Sequence, residues 1–321
     1  MSTSTATRRS FLKRTSVLGG LAAVNSSVVS PQSTATTPQI VAAEQLERSA
    51  TESLDAVKKF FPNGFPKCKL GKTGIETTIL GMGTGMSSGR PYYDMGEENF
   101  IKLMHHAFEQ GVRYVDTAQN YRTHVYVQHA LRGWKREDFF VLSKTPSHSE
   151  ETVRSDVNRY LYELETKYLD VLLLHCMTNG NWHAERSGAW NVLVEEKKKG
   201  RIRAIGVSCH SLNALKKCLE VEELDVVLTR INPFGKAFLT DDEPEKVVAV
   251  AKELHEKGVG VLGMKIFGEG RCKEPEQRRQ SLEFVTGLGC VDTMTIGFTE
   301  IPQVNETLGM LADIFAQRAK T

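Results

Sequence analysis

The six cysteines of this chain (Cys68, Cys176, Cys209, Cys218, Cys272 and Cys290) include no CxxC pair and no paired Cys/His spacing. That lack argues against a zinc or iron–sulfur site. Several of them sit inside apolar runs, where a small buried thiol is the plainer explanation. Neither sign of charge is in excess: 41 Lys and Arg stand against 39 Asp and Glu, a net charge of +2. The basic residues are also dispersed, so nothing marks a nucleic-acid surface. No apolar run is long enough to serve as a stable membrane span. The rest of the composition, 40% hydrophobic and 25% charged in 321 residues, is ordinary for a soluble globular protein of one large domain or two small ones.

The N-terminus is different. Thr7-Arg8-Arg9-Ser10-Phe11-Leu12-Lys13 precedes the short, weakly apolar stretch Ser16–Val24. A basic region followed by a short apolar one is the pattern of an export signal, and the paired arginines resemble the twin-arginine type. Residues 1–45 are therefore expected to be a twin-arginine-type signal peptide and a Ser/Thr/Ala-rich linker. The implied partner is the twin-arginine export machinery, and the implied location is the periplasm or cell envelope. No clean A-x-A site fixes where the mature chain begins.

From about Phe65 onward, short β-rich runs alternate with helical patterns. The expected strands are 77–84, 113–118, 138–145, 170–176, 203–209, 226–232, 260–266 and 292–298. Helical patterns cover 98–110, 151–167, 190–199, 243–257 and 275–288, with apolar residues three and four apart. Gly111, Gly200 and Gly258 read as helix stops. Runs such as Val171-Leu172-Leu173-Leu174 are continuously apolar, as expected of strands buried on both faces. Eight such units in roughly 250 residues is the arithmetic of a (β/α)8 TIM barrel, an α/β fold. An open doubly wound sheet would need a Gly-rich dinucleotide turn after its first strand. Leu80-Gly81-Met82-Gly83-Thr84-Gly85 lacks the GxGxxG spacing, so a single barrel over residues 66–318 is expected.

Three consecutive apolar runs end in ionisable residues: Asp116, Lys144 and His175, with Tyr121 just after the first. The steps are 28 residues from Asp116 to Lys144 and 31 from Lys144 to His175, each about one strand–helix–strand unit. In a barrel, such positions meet at the C-terminal face. Reducing a carbonyl needs hydride at carbon and a proton at oxygen. Tyr121 fits a general acid/base. A neighbouring Lys144 ammonium would lower its pKa from about 10. Asp116 would anchor Lys144, and a neutral His175 would orient the substrate oxygen. Each residue alone also has a plain structural use: a helix cap, a packing aromatic, a solvated lysine, a buried histidine.

The blocks Leu70-Gly71-Lys72-Thr73-Gly74, Leu80-Gly81-Met82-Gly83-Thr84, Asp116-Thr117-Ala118-x-x-Tyr121, Leu173-Leu174-His175 and Gly200-Arg201-Ile202-Arg203-Ala204-Ile205-Gly206-Val207-Ser208 together resemble the aldo-keto reductase superfamily. The resemblance implies a metal-independent barrel using NADPH or NADH. Asp116, Tyr121, Lys144 and His175 match the family's catalytic tetrad. On the cofactor side it points to Gly83 and Thr84. Ser208 and Cys209 take the place of a Ser-Asn pair, and Leu228 that of a Gln. Met264, Lys265, Phe267 and Gly268 follow at the seventh strand, and Gln303 and Glu306 near the C-terminus. Gln303 stands where an Arg often binds the 2′-phosphate, and losing that charge weakens the preference for NADPH.

The function so implied is hydride transfer between NAD(P)H and the carbonyl or alcohol carbon of a small aldehyde, ketone or sugar. Trp182, His183 and Arg186 on the 179–188 loop are candidates for a substrate wall. The altered cofactor side keeps open an alternative, a nicotinamide-nucleotide-binding sensor or assembly subunit with little turnover. A barrel aldolase or isomerase with Lys144 as Schiff-base former uses the same geometry, but gives Tyr121 and His175 no necessary role.

Overall fold

A computed structural model describes residue 61 and residues 64–320. The signal and linker expected over residues 1–45 lie outside the described residues. A small antiparallel hairpin, β1 (Lys67–Lys69) and β2 (Glu76–Thr78), comes first. Eight strands follow: β3 (Leu80–Gly83), β4 (Tyr114–Asp116), β5 (Phe140–Thr145), β6 (Leu169–Met177), β7 (Ile202–Cys209), β8 (Val226–Arg230), β9 (Gly260–Met264) and β10 (Thr293–Ile296). They close into a barrel in the cyclic order β10-β3-β4-β5-β6-β7-β8-β9, and every neighbouring pair is parallel. The expected (β/α)8 barrel is what forms.

The longer helices between and after the barrel strands are α1 (Glu97–Glu109), α2 (His124–Leu131), α3 (Glu150–Glu163), α4 (Ser187–Lys198), α5 (Leu212–Lys217), α6 (Pro244–Glu256), α7 (Pro275–Gly287) and α8 (Ile301–Arg318). Gly111, Gly200 and Gly258 follow α1, α4 and α6 at positive φ, the left-handed stop that glycine adopts without penalty. α3 begins where Ser149 accepts from the Thr152 N–H. It ends four residues before the expected Lys167, because Glu165 takes φ +46. A non-glycine stop of that kind carries no sequence signal.

The expected strand over 77–84 is two strands. The chain bends at Ile79, whose N–H donates to Pro66 O at 3.0 Å, while the Thr78 hydroxyl donates to Leu80 O at 2.7 Å. The hairpin thus closes the barrel's lower end and feeds Leu70 and Ile75 into the interior, where both are buried.

Two apolar layers result. The larger lies between strands and helices. The smaller fills the barrel with Leu70, Ile75, Tyr114, Phe140, Leu142, Val171, Leu173, Ala204, Val226, Leu228, Leu262 and Met264. No helix among the described residues is long and apolar enough to cross a membrane.

Candidate active site

Side chains alternate along a strand, so every second residue faces the barrel interior. The inward rows run Tyr114, Asp116 on β4; Phe140, Leu142, Lys144 on β5; Val171, Leu173, His175 on β6; and Val226, Leu228, Arg230 on β8. The lower members belong to the apolar plug. The last member of each row is ionisable. A charge is tolerated there only because partners converge on it. In each case the position is at or within two residues of the C-terminal strand end, the working face of a parallel barrel.

Tyr121 arrives by another route, on a short helical turn, Gln119–Tyr121, that follows β4. The β3 loop holds it through two glycines. A Cβ on Gly85 would meet Tyr121 Cζ at 2.5 Å and its hydroxyl at 2.7 Å. A Cβ on Gly89, already at φ +87, would meet Tyr121 O at 2.3 Å.

The four residues come together. Lys144 Nζ donates to Asp116 Oδ1 at 2.5 Å and to Thr117 O at 3.0 Å. Tyr114 donates to the other Asp116 oxygen at 3.3 Å. Lys144 Nζ lies 4.9 Å from the Tyr121 ring centroid, and the Tyr121 hydroxyl lies 3.4 Å from His175 Nε2. Burial raises the Asp116 carboxyl and lowers the Lys144 ammonium, with the pair's mutual attraction opposing both shifts. Burial, then the charges of Lys144, His210 and Lys265, lowers His175 to about 3, so the ring is neutral at physiological pH.

Tyr121 departs from expectation. Its phenol is held well above the ordinary value, first by burial and then by the negative charge of Asp116. Asp116 neutralises Lys144 at close range, so in this state the ammonium does not bring the phenol down.

An open cavity of about 610 Å³, mouth included, lies against Asp116, Tyr121 and Lys144. It extends past Leu228 and Met264 to the loops after β9 and β10. Thr295 lines it, and its buried Oγ1 has no hydrogen-bond partner among the described residues. Lys265 lines it too, paired with Glu269 at 2.9 Å. An apolar floor, one spare hydroxyl and one cation suit a nicotinamide ring joined to a pyrophosphate.

Of the residues expected on the cofactor side, Gly83, Met264, Lys265 and Phe267 line this cavity. Gly268 lies in the same turn at φ +56. The others have partners within the fold. Thr84 Oγ1 bonds Asp116 O and Thr123. Ser208 Oγ accepts from the Cys176 N–H at 2.7 Å. Cys209 is buried with its thiol 3.7 Å from that of Cys218. Gln303 accepts from the Thr299 N–H, and Glu306 pairs with Arg278. Of the expected substrate-wall residues, Trp182 is buried and donates to Ala214 O, Arg186 holds Pro146 O and Ser147 O, and His183 packs edge-on against Trp182 and Trp190 with its buried Nε2 unpaired among the described residues. Sequence reasoning missed Gly85 and Thr295 as lining residues. It also missed Arg230, which the every-second-residue count that gives Lys144 and His175 would have found. Among the described residues no cluster of three His, Cys, Asp or Glu could hold a metal ion.

A family model described as "Aldo/keto reductase family" matches residues 79–288. The chain is 26% identical over 196 residues to the NADH-specific methylglyoxal reductase of Escherichia coli, covering 53% of this chain and 60% of that protein. It is 26% identical over 228 residues to the aldehyde reductase YPR1 of Saccharomyces cerevisiae, covering 62% of this chain and 68% of that one. The chain thus spans only about 60% of the Escherichia coli protein's length. In fold it is similar to an aldo-keto reductase of Bacillus halodurans in its holo form, with TM-score 0.65, 21% identity, and 77% and 91% of the two chains covered. It is likewise similar to a Bombyx mori aldo-keto reductase in complex with NADP, with TM-score 0.60, 18% identity, and 78% and 92% covered.

Proposed function

The chain belongs to the aldo/keto reductase family, and from that premise we propose that it is an NAD(P)H-dependent oxidoreductase that reduces the carbonyl carbon of a small aldehyde, ketone or sugar, with Tyr121 as proton donor. The observation that carries this is the Tyr121 hydroxyl 3.4 Å from His175 Nε2, beside a buried Lys144–Asp116 pair, at the edge of an open cavity.

When bound, reduced nicotinamide supplies the hydride; Met264, Lys265, Phe267 and Thr295 are the residues placed to hold it. The rest of the chemistry belongs to the protein. A carbonyl oxygen between Tyr121 and His175 accepts from the phenol and from the His175 tautomer that carries hydrogen on Nε2. As negative charge builds on that oxygen, the Tyr121 proton moves to it. The phenolate left behind faces Lys144, whose ammonium gains importance at that moment. Asp116 keeps the ammonium in register throughout. In the reverse direction the phenolate takes the proton from an alcohol.

Steady-state assays with NADH and NADPH against an aldehyde, ketone and sugar panel test this. Turnover that Tyr121→Phe abolishes supports it. Tight nucleotide binding with no turnover on any carbonyl supports the sensor or assembly role instead. The same assays decide between the two nucleotides. Gln303 brings no charge to a 2′-phosphate, and we propose that discrimination against NADH is correspondingly weak.

We also propose that residues 1–45 direct twin-arginine export to the periplasm or cell envelope, motivated by Arg8-Arg9 and the short apolar stretch after them. Replacing both arginines with lysine should leave the protein in the cytoplasm on fractionation. An unchanged distribution would refute the assignment.

A further inference from the structure

Lys144 faces the barrel interior, so its neighbours on β5, Ser143 and Thr145, face outward toward the helices. Both are polar and fully buried, and both are tied to α3. Thr145 Oγ1 donates to Asp156 Oδ2 at 2.7 Å. Ser143 Oγ lies 2.8 Å from His124 Nε2, and His124 Nδ1 lies 2.7 Å from Glu163 Oε2. The same helix reaches the turn that carries Tyr121. Tyr160 donates to the side chain of Gln119, the first residue of that turn. The Tyr160 ring packs edge-on against His124, with 4.8 Å between centroids. Asp156, Tyr160 and Glu163 follow one another at spacings of four and three, so they share one face of α3.

His124 is where these contacts cross. It opens α2, three residues after Tyr121, and is buried. Its Nδ1 carries a hydrogen, because an ionised carboxylate can only accept. The hydrogen bond from His124 is the largest influence holding the Glu163 carboxyl below its ordinary value. A Ser–His–Glu row can activate a serine as a nucleophile. Here it does not, since Ser143 is 0% exposed and does not line the open cavity. The row stands on the opposite side of β5 from Lys144, and its use must be mechanical.

Tyr121 and Lys144 sit on different segments, a turn and a strand. The ladder between β4 and β5 fixes the two strands through Asp116, but Tyr121 lies five residues beyond it. We infer that His124 is a positioning residue for the Tyr121–Lys144 pair: anchored by Glu163, it sets the Tyr121 segment against the Lys144 strand from outside the barrel. The inference rests on the carbonyl-reductase function proposed above. An imidazole suits the task. It is a rigid ring with a polar atom on each of two edges, so one short side chain reaches both α3 and β5. A glutamine keeps an amide near the position of Nε2 and can still meet Ser143, whereas a phenyl ring keeps neither contact.

The test measures kcat and nucleotide dissociation constants for the full-length protein, His124→Phe and Ser143→Ala, each also in a Tyr121→Phe background. His124→Phe should lower kcat for carbonyl reduction by about 10- to 100-fold, with NADH and NADPH affinity within about threefold, because the residue moves the reacting pair and does not line the cavity. Ser143→Ala removes a single hydroxyl and serves if His124→Phe does not fold; it should lower kcat by about 3- to 10-fold. His124→Gln should recover part of the loss. A residue that acts through Tyr121 has nothing left to position once the phenol is gone, so in the Tyr121→Phe background both substitutions should change the residual rate by less than about twofold. An equal fall in the two backgrounds, or a kcat within about twofold of the unmodified value in both single variants, would overturn the inference and leave His124 a structural role. An unmodified protein that turns over no carbonyl overturns the reductase function and this role with it. Turnover indifferent to His124 and Ser143 overturns only the role.

Discussion

Replacing Asp116 with asparagine isolates the electrostatic base of the site. Lys144 is among the most deeply buried large side chains of the chain, and its only carboxylate partner at contact distance among the described residues is Asp116. Its remaining hydrogen bond goes to Thr117 O. Asparagine keeps the shape and removes the compensating charge. Removing one member of a buried ion pair typically costs about 3–5 kcal/mol, because the other charge is left uncompensated. Burial already lowers the Lys144 pKa against Asp116's opposition, so without Asp116 it must fall further. The unfolded lysine titrates near about 10.4. Between the depressed folded value and that one, the unfolded state binds more protons, and stability rises with pH by up to about 1.4 kcal/mol per unit. Asp116→Asn should therefore be about 3–5 kcal/mol less stable than the unmodified protein at neutral pH, with a deficit that narrows as pH rises toward about 10. Urea unfolding followed by circular dichroism across that range measures both. A deficit under about 1 kcal/mol at neutral pH, or one that widens with pH, would refute the claim that a charged Lys144 depends on Asp116.

Gly85→Ala should lower kcat by roughly 10²-fold or more, since the new Cβ displaces the Tyr121 ring that must hold its geometry; unchanged kcat would show that the ring can give way. Because Tyr121 is held above its ordinary value and His175 near about 3, neither group titrates between roughly pH 6 and pH 9. With an unhydroxylated aldehyde, kcat for reduction should be flat over that range, while alcohol oxidation, which needs the phenolate, should climb throughout; a fall in reduction there would mean that the phenol is lowered instead. Leu142→Ala, in the apolar layer directly beneath Lys144, should cost about 2–5 kcal/mol in the same unfolding assay; a loss below about 1 kcal/mol would show that this layer collapses freely.

The barrel and the meeting of Asp116, Tyr121, Lys144 and His175 at one end of it were legible because both depend on local order. Continuous apolar runs such as Val171–Leu174 announce strands buried on both faces, and strand ends in a parallel barrel have a fixed side. Other features depend on contacts distant in sequence. The bend at Ile79 is made by Pro66, and the early end of α3 by a non-glycine residue at positive φ. α8 begins at Ile301-Pro302, a proline at a helix start, but its first turns were read only for the nucleotide roles of Gln303 and Glu306. On the cofactor side, motif positions did not report exposure: Ser208 and Cys209 sit at the matching strand end but turn to Cys176 and Cys218. The direction of the Tyr121 shift needed the structure as well, because it depends first on how deeply the phenol is buried and then on the Asp116 charge beside it. Arg230 was readable by the same alternation as His175.

The most direct measurement is oxidation of NADH and NADPH by the purified protein with an aldehyde and sugar panel, run beside Tyr121→Phe with nucleotide binding measured on both. The proposed chemistry predicts carbonyl-dependent oxidation that falls by roughly 10²–10⁴-fold in the variant while nucleotide affinity stays within about threefold. Equal turnover by the two proteins would contradict Tyr121 as the proton donor, and no turnover with any carbonyl would contradict the enzyme.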